Sequence, residues 1–245
     1  MASLSRAQVV PFRRRMRPHE YLLEVCDRPE HRYLRTPLVG LITSGKLPVP
    51  ALKEYAVMRW SFQAHAVPAM MLSHAAYLQG DAVLHLLENC YDEIMRPHDA
   101  GEHPGLWVRF AKNLGATDDE LDEAARHPIA EVLGFPRTLT MYCRRSAAEG
   151  LSTWYADEEQ LPEVHGATAL ALRKFYRLPD DTIEYFLEHV RADIEHSDAN
   201  EALLATYIRT PRELVEARRA ASVTLWSWCE MHEGILRVLR KKYRF

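Results

Sequence analysis

Within the stretch from Glu188 to His196 the chain sets His189, Asp193 and His196 at positions i, i+4 and i+7. On an α-helix turning about 100° per residue, these side chains fall within roughly 60° of arc, so two imidazoles and a carboxylate share one stripe. Such a stripe is half of a metal site, and the other half has to come from helices packed against it. Nitrogen and carboxylate donors without thiolate suit non-haem iron, manganese or a catalytic zinc, whereas structural zinc usually takes cysteines. The plain alternative is a solvated helix with two histidines among its acids, in a chain that has 12 histidines. The rest of the sequence decides between the two.

Helical signals run almost from end to end. Ala51 to Leu78 carries a long apolar stripe with a kink predicted at Pro68; Gly80 marks a stop, and Asp81 to Met95 reads as a helix ending before Pro97. Thr117-Asp118-Asp119-Glu120 and Thr210-Pro211-Arg212-Glu213 have the form of capping boxes, which predicts helices starting near 118 and 211. Between them lie helical patterns over Ile129 to Ala148, Leu151 to Tyr176 with a break at Pro162, and Asp181 to His196. Alternating strand patterns are scarce, and there is no internal repeat or Gly/Ser/Pro-rich linker. The expectation is all-α: residues 19–245 as one bundle of roughly eight to ten helices, preceded by a basic tail over 1–18 that holds five arginines and no acid.

With 47% hydrophobic residues and only 10 glycines, 245 residues suffice for a sizeable core. A net charge of −3 offers no general basic field for nucleic acid, so the expected partner is a small molecule. Cys26, Cys90, Cys143 and Cys229 are widely spaced and form no CxxC pair, which points to a reducing cytoplasm rather than a disulfide framework. No apolar run approaches the ~20 residues that span a bilayer, and the N-terminal stretch lacks the apolar core of a signal peptide.

The partners of the histidine stripe are sought where acids lie near histidines. Glu93 closes one predicted helix and His103, followed by Pro104, opens the next, so the two can meet at one ion; His98 is a rival ligand. In Trp154 to Glu163 four carboxylates form what is most simply an exposed acidic face. Glu158, however, lies four residues after Trp154 and three before Leu161, on the apolar side, where a carboxylate needs a cation. Glu93, His103, Glu158, His189, Asp193 and His196 together exceed what one iron needs and suit two irons bridged by carboxylate.

On the residues of Asn89 to Phe110 (N-x-x-D-E, then H-P-x-L-W-x-R-F), of Glu158-Glu159-Gln160-Leu161-Pro162 and of the H-x3-D-x2-H at His189, the chain resembles the haem-oxygenase-like diiron oxidases and oxygenases. These are related to pyrroloquinoline-quinone synthase and the TenA thiaminases, and the resemblance spans about residues 20 to 236. It implies a seven-helix core with short extra helices, in which those six residues bind two Fe(II) ions and O2 is the co-substrate; Asp92 can stand in for Glu93. It also implies action on amino acids, amines or fatty acids, by N-oxygenation, desaturation, carbon–carbon cleavage or ring closure, often in natural-product pathways. The leading expectation is oxidation of a small aliphatic L-amino acid, with desaturation and C–N closure such as azetidine formation. N-oxygenation or oxidative cleavage of an amino acid follows, with an external electron donor and a homodimer as possible partners.

An amino-acid carboxylate calls for an arginine fork, and Arg59, Arg144 and Arg145 are the candidates, each with an ordinary surface role as the alternative. Tyr155, with Tyr55, Trp60 and Phe62, would shape a pocket or simply pack the core. A rival class is a metal-free enzyme like the TenA hydrolases or the quinone synthase. The hydrolase would need an activated thiol, for which Cys143, beside Arg144 and Arg145, is the candidate.

Overall fold

The computed structural model describes residues 17–91, 93 and 103–245, with the side chains at 65–69, 71, 89 and 193–199 outside that description. The basic tail up to residue 16, and the predicted markers Asp92, Pro97, His98 and Gly101, lie outside it as well. The described residues contain twelve α-helices and no strand: α1 Pro18–Cys26, α2 Pro37–Thr43, α3 Val49–Ser61, α4 Val67–Ala75, α5 Asp81–Cys90, α6 His103–Asn113, α7 Asp118–Arg126, α8 Ala130–Cys143, α9 Ala147–Glu158, α10 Leu161–Phe175, α11 Glu184–Tyr207 and α12 Pro211–Tyr243.

Local chemistry accounts for most of the boundaries. Thr117 Oγ1 accepts from the Glu120 N–H at 3.2 Å while Glu120 accepts from the Thr117 N–H at 2.9 Å, and Thr210 and Glu213 repeat the exchange at 3.2 and 2.8 Å. Both predicted capping boxes therefore open helices where expected, and Pro162 sits in the first turn of α10, just after the predicted break. Several expectations change: the described residues form twelve helices rather than eight to ten, and the pattern over Ile129 to Ala148 stops at Cys143, because Ser146 caps a new helix whose first residues are Ala147 and Ala148. The stripe from Ala51 to Leu78 is two helices joined by a π-helical segment, Phe62–Ala66. Pro68, in the first turn of α4, has no N–H for the carbonyl of Ala64, so the regular i→i+4 ladder cannot run through. The helix expected to end at His196 continues to Tyr207, because nothing in Ser197–Thr206 breaks it.

α12 is the spine. Its 33 residues span about 50 Å, and it packs along α8, α9 and α1, while α11 lies against α9 and α10. Ala217, Ala220 and Ala221 leave room for close helix approach, and Trp228, Met231 and Ile235 fill the interior beyond them. No helix among the described residues is long and apolar enough to cross a membrane.

One glycine is required by packing. Gly150 on α9 faces the ring of His74 on α4, so closely that a Cβ there would overlap the imidazole, and His74 is fully buried. Gly150→Ala should therefore cost about 1–3 kcal/mol. Urea unfolding would show it as a lower midpoint at an unchanged slope, and a midpoint equal to that of the unaltered chain would contradict the contact.

Candidate metal centre

Three helices bring the central donors together: His103 opens α6, His189 stands two turns into α11, and Glu93 follows α5 by three residues. Glu93 Oε1 lies 2.6 Å from His103 Nδ1 and 3.9 Å from His189 Nε2, and the two imidazole centroids are 4.1 Å apart. One donor atom from each of the three lies within 4.8 Å of the others, an arrangement able to hold a metal ion. Both histidines are buried, and Glu93 is largely so.

The surroundings orient these donors. His189 Nδ1 lies 2.7 Å from the Tyr185 carbonyl; donating its proton there leaves Nε2 unprotonated on the side of Glu93, the arrangement a metal-binding histidine needs. Burial, reinforced by the neighbouring imidazoles of His103 and His165, holds His189 well below the usual imidazole range, so it is neutral and able to coordinate.

Glu158, the last residue of α9, is buried and accepts a hydrogen bond from Asn200 Nδ2 on α11 at 2.6 Å. Burial, with Asp157 and Glu93 adding negative charge, pushes its carboxyl well above the usual range. An ion between Glu93 and Glu158 would remove that penalty.

Glu93, Glu158 and His189 line one cavity of about 50 Å3, together with Arg59, Asp157 and the aromatic side chains of Phe62, Phe135, Trp154, Tyr185 and Trp228. Arg59 on α3 is buried, its guanidinium 4.5 Å from the Trp107 ring centroid and 5.3 Å from that of Phe62. Its Nη1 has no hydrogen-bond partner, and among the described residues no carboxylate is ion-paired with it. Further in, Tyr33 Oη donates to Asp157 Oδ1 at 2.5 Å, and the Tyr33 ring is stacked on Trp228 at 3.7 Å.

Of the residues singled out from the sequence, the fold thus gathers Glu93, His103, Glu158, His189 and Arg59. Asp193 and His196 follow His189 by four and seven residues in the same unbroken helix, with their side chains outside the description. The other candidates land elsewhere. Tyr155 is packed in the core about 100° around α9 from Trp154, which does face the cavity. Arg145 is half-exposed and paired with Glu149 at 3.1 Å, and Arg144 lines an outer groove. Cys143 is fully buried, and burial pushes its thiol up to about 12, which leaves no thiolate for a metal-free hydrolase.

Sequence reasoning missed Asp157, Tyr33, Gln63 and Tyr185. Tyr185 had a readable signal, since it lies four residues before His189 on the same stripe. Asp157 looked like one more acid on an exposed face, and its partner Tyr33 is 124 residues away. That pairing depends on Gln160, whose side chain accepts from the Tyr33 N–H and donates to the carbonyls of Cys26 and His31.

The comparisons with known proteins bear on the family and the fold. Residues 53–228 match the sequence model of a family described as iron-containing redox enzymes. A 4-aminobenzoate synthase from Nitrosomonas europaea is 32% identical over 217 residues, covering 82% of this chain and 86% of that protein. A second, from Chlamydia pneumoniae, is 28% identical over 196 residues, covering 76% and 82%. Among solved structures, a TenA homologue from P. horikoshii OT3 superposes with a TM-score of 0.73 at 13% identity, over 91% of this chain and 99% of that one. A Shewanella denitrificans domain with a haem-oxygenase-like fold gives 0.69 at 12% identity, over 93% and 90%. At such identities the structural likeness speaks to the fold, which is the all-α haem-oxygenase-like bundle expected from the sequence.

The buried acids set a pH dependence for the metal-free protein. Burial raises Asp157 from its ordinary 3.8 to about 6, against the hydrogen bond from Tyr33 and the charge of Arg59. The folded state thus holds this proton more tightly than the unfolded chain. The contribution of this group to stability is therefore greatest at low pH and falls as pH rises from about 4 to about 6, by about 3 kcal/mol. The buried histidines His74, His165 and His232, lowered to about 4, 3 and 3, act in the opposite direction, so the test is the difference between the two proteins. In urea unfolding of the metal-free forms, Asp157→Asn should gain about 3 kcal/mol relative to the unaltered chain between pH 4 and pH 6, and a difference that does not change with pH would remove Asp157 from the account.

Proposed function

The chain belongs to the iron-containing redox enzymes, and from that premise we propose that it is a non-haem diiron, O2-dependent enzyme that oxidises a small amino-bearing organic acid. The observation that carries this reading is the convergence of Glu93, His103 and His189 on one buried point, with Glu158 on the wall of the same cavity. Hard oxygen and imidazole donors with no thiolate fit ferrous iron. Glu93, His103, Glu158 and His189 would hold the metal together with Asp193 and His196 from the same helix. Two ferrous ions would supply electrons and coordination positions for O2, with further electrons from an external donor.

The protein's own groups then have distinct tasks. Tyr185 fixes the tautomer of His189 through its carbonyl, and Asn200 fixes the direction of the Glu158 carboxylate. The aromatic walls exclude water from the centre. Arg59, buried with an unsatisfied Nη1, offers the substrate's carboxylate a partner in a low-dielectric setting where the attraction is strong.

The name of the relatives supports a product of the 4-aminobenzoate type, an aromatic ring bearing amine and carboxylate. The wall of Phe62, Phe135, Trp154 and Trp228 suits such a ring. Desaturation or azetidine closure of an aliphatic L-amino acid, the expectation from the sequence, has no comparable support in the lining.

The ligand assignment is tested by metal content. His103→Ala and His189→Ala, loaded anaerobically with Fe(II), should each lose at least half of the bound iron with unchanged circular dichroism; full iron in both would end the assignment. The product is tested separately, by whether the gene restores growth of a bacterial strain that requires 4-aminobenzoate. No growth, with iron binding and O2 uptake intact, would leave the diiron reading and discard the product.

Arg59→Gln should lower kcat/KM for the acid at least tenfold, mostly through KM, because it removes binding to the carboxylate. Since the guanidinium also meets Tyr185 and compensates the buried Asp157, thermal stability of the metal-free variant should fall. An unchanged KM would take Arg59 out of substrate binding.

A further inference from the structure

The cavity beside the metal donors, at about 50 Å3, holds O2 or a few waters as it stands, so an aromatic acid reaches Arg59 and the aromatic wall only when the cavity opens. Directly outside it runs an open groove of about 410 Å3 between the C-terminal end of α3 and one face of α8. Its floor is apolar, formed by Phe62, Val132, Leu133, Pro136 and Met141. Its charged lining consists of two arginines, Arg137 and Arg144. Arg137 lies on α8 and Arg144 caps its C-terminal end seven residues later, about 10 Å further along the axis. Both are exposed, and neither is ion-paired with a described residue. Arg145, the next residue after Arg144, is by contrast paired with Glu149. An apolar trough with two unpaired cations on its lining is complementary to one ligand chemistry, an amphipathic organic anion.

Phe62 is shared between the two spaces: it lines the groove and also lines the inner cavity. Its ring packs on Phe135 at 5.3 Å and lies under the Arg59 guanidinium at 5.3 Å. It is also the first residue of the π-helical segment, where the regular ladder of α3 gives way. Single π-helical turns of that kind recur at functional sites, and this one begins at the residue that separates outside from inside.

We propose that the α8 groove is the docking site for an amphipathic organic acid, whose carboxylate lies between Arg137 and Arg144 and whose apolar body rests on Phe62, with the Phe62 ring as the door to the inner cavity. The docking half stands on the groove alone; the door half rests on the reading of the inner cavity as the oxidising centre. The specificity that follows is for a single negative charge at one end and a ring-sized apolar body, with neutral analogues excluded.

The probe is 4-azidobenzoate, a photoreactive aromatic acid, used on the whole metal-free protein so that iron plays no part. Irradiation followed by peptide mass spectrometry should place adducts within 128–144 and at Ser61–Phe62, with benzoate as an effective competitor. Arg137→Gln/Arg144→Gln, both at exposed positions, should lower adduct yield at least tenfold with unchanged circular dichroism, and neutral 4-azidobenzamide should label as weakly. Adducts elsewhere, or equal labelling of the double variant, would overturn the docking site. So would light scattering that showed the groove covered by a second copy of the chain. Phe62→Ala should extend adducts to the Trp154–Glu158 peptide of the inner cavity; labelling that stops at the groove would overturn the door. Failure of the iron reading shows up separately, as full metal content in the His103 and His189 variants.

Discussion

Three carboxylates, Glu93, Asp157 and Glu158, face one small cavity inside an apolar bundle. Charges removed from water in this way are costly unless they meet compensating charge. The chain supplies part of the answer itself, since Arg59 and the Tyr33 hydroxyl bear on Asp157, and Asn200 donates to Glu158. Glu93 meets the imidazole of His103, and that group, with His189 alongside, has the chemistry of an ion site rather than of a self-contained hydrogen-bond network. Much of the surrounding arrangement makes sense as a shell that keeps these donors dry and correctly turned.

The shell is built from distant pieces held by few contacts. Gln160, at the joint between α9 and α10, ties down the backbone near Cys26, His31 and Tyr33, which carries the Tyr33 ring onto Trp228 of α12 and its hydroxyl onto Asp157. Trp228 in turn stacks on His232 at 3.6 Å. Burial lowers His232 and His165 to about 3, so both are neutral and pack as aromatic wall rather than as charge. Among the described residues Arg59 is the one buried arginine or lysine, and it lies against aromatic faces.

Such a site explains why some donors were legible in advance and others were not. The stripe from His189 to His196 is a matter of periodicity, and Glu158 was legible as an acid on the apolar side of its helix. Glu93 and His103 could be paired because helix breakers lie between them. Asp157 carries no such mark, because its burial is produced by Tyr33 and Trp228, both remote in sequence. Arg144 and Arg145 were adjacent in sequence and equally plausible, yet one lines the groove and the other is held by Glu149, a difference of about 100° around the chain.

By itself the sequence determined the all-α class, the two capping boxes, the break at Pro162 and the donor types, because these depend on residues within a few positions of each other. It also limited the metal chemistry to nitrogen and oxygen donors, since its cysteines are scattered. The tertiary structure decided which acids are buried, which arginine reaches the cavity, where the long apolar stripe turns into a π-helical segment, and how small the inner space is. Those outcomes depend on what packs against each helix from more than a hundred residues away, and the periodicity of one helix carries no record of its neighbours.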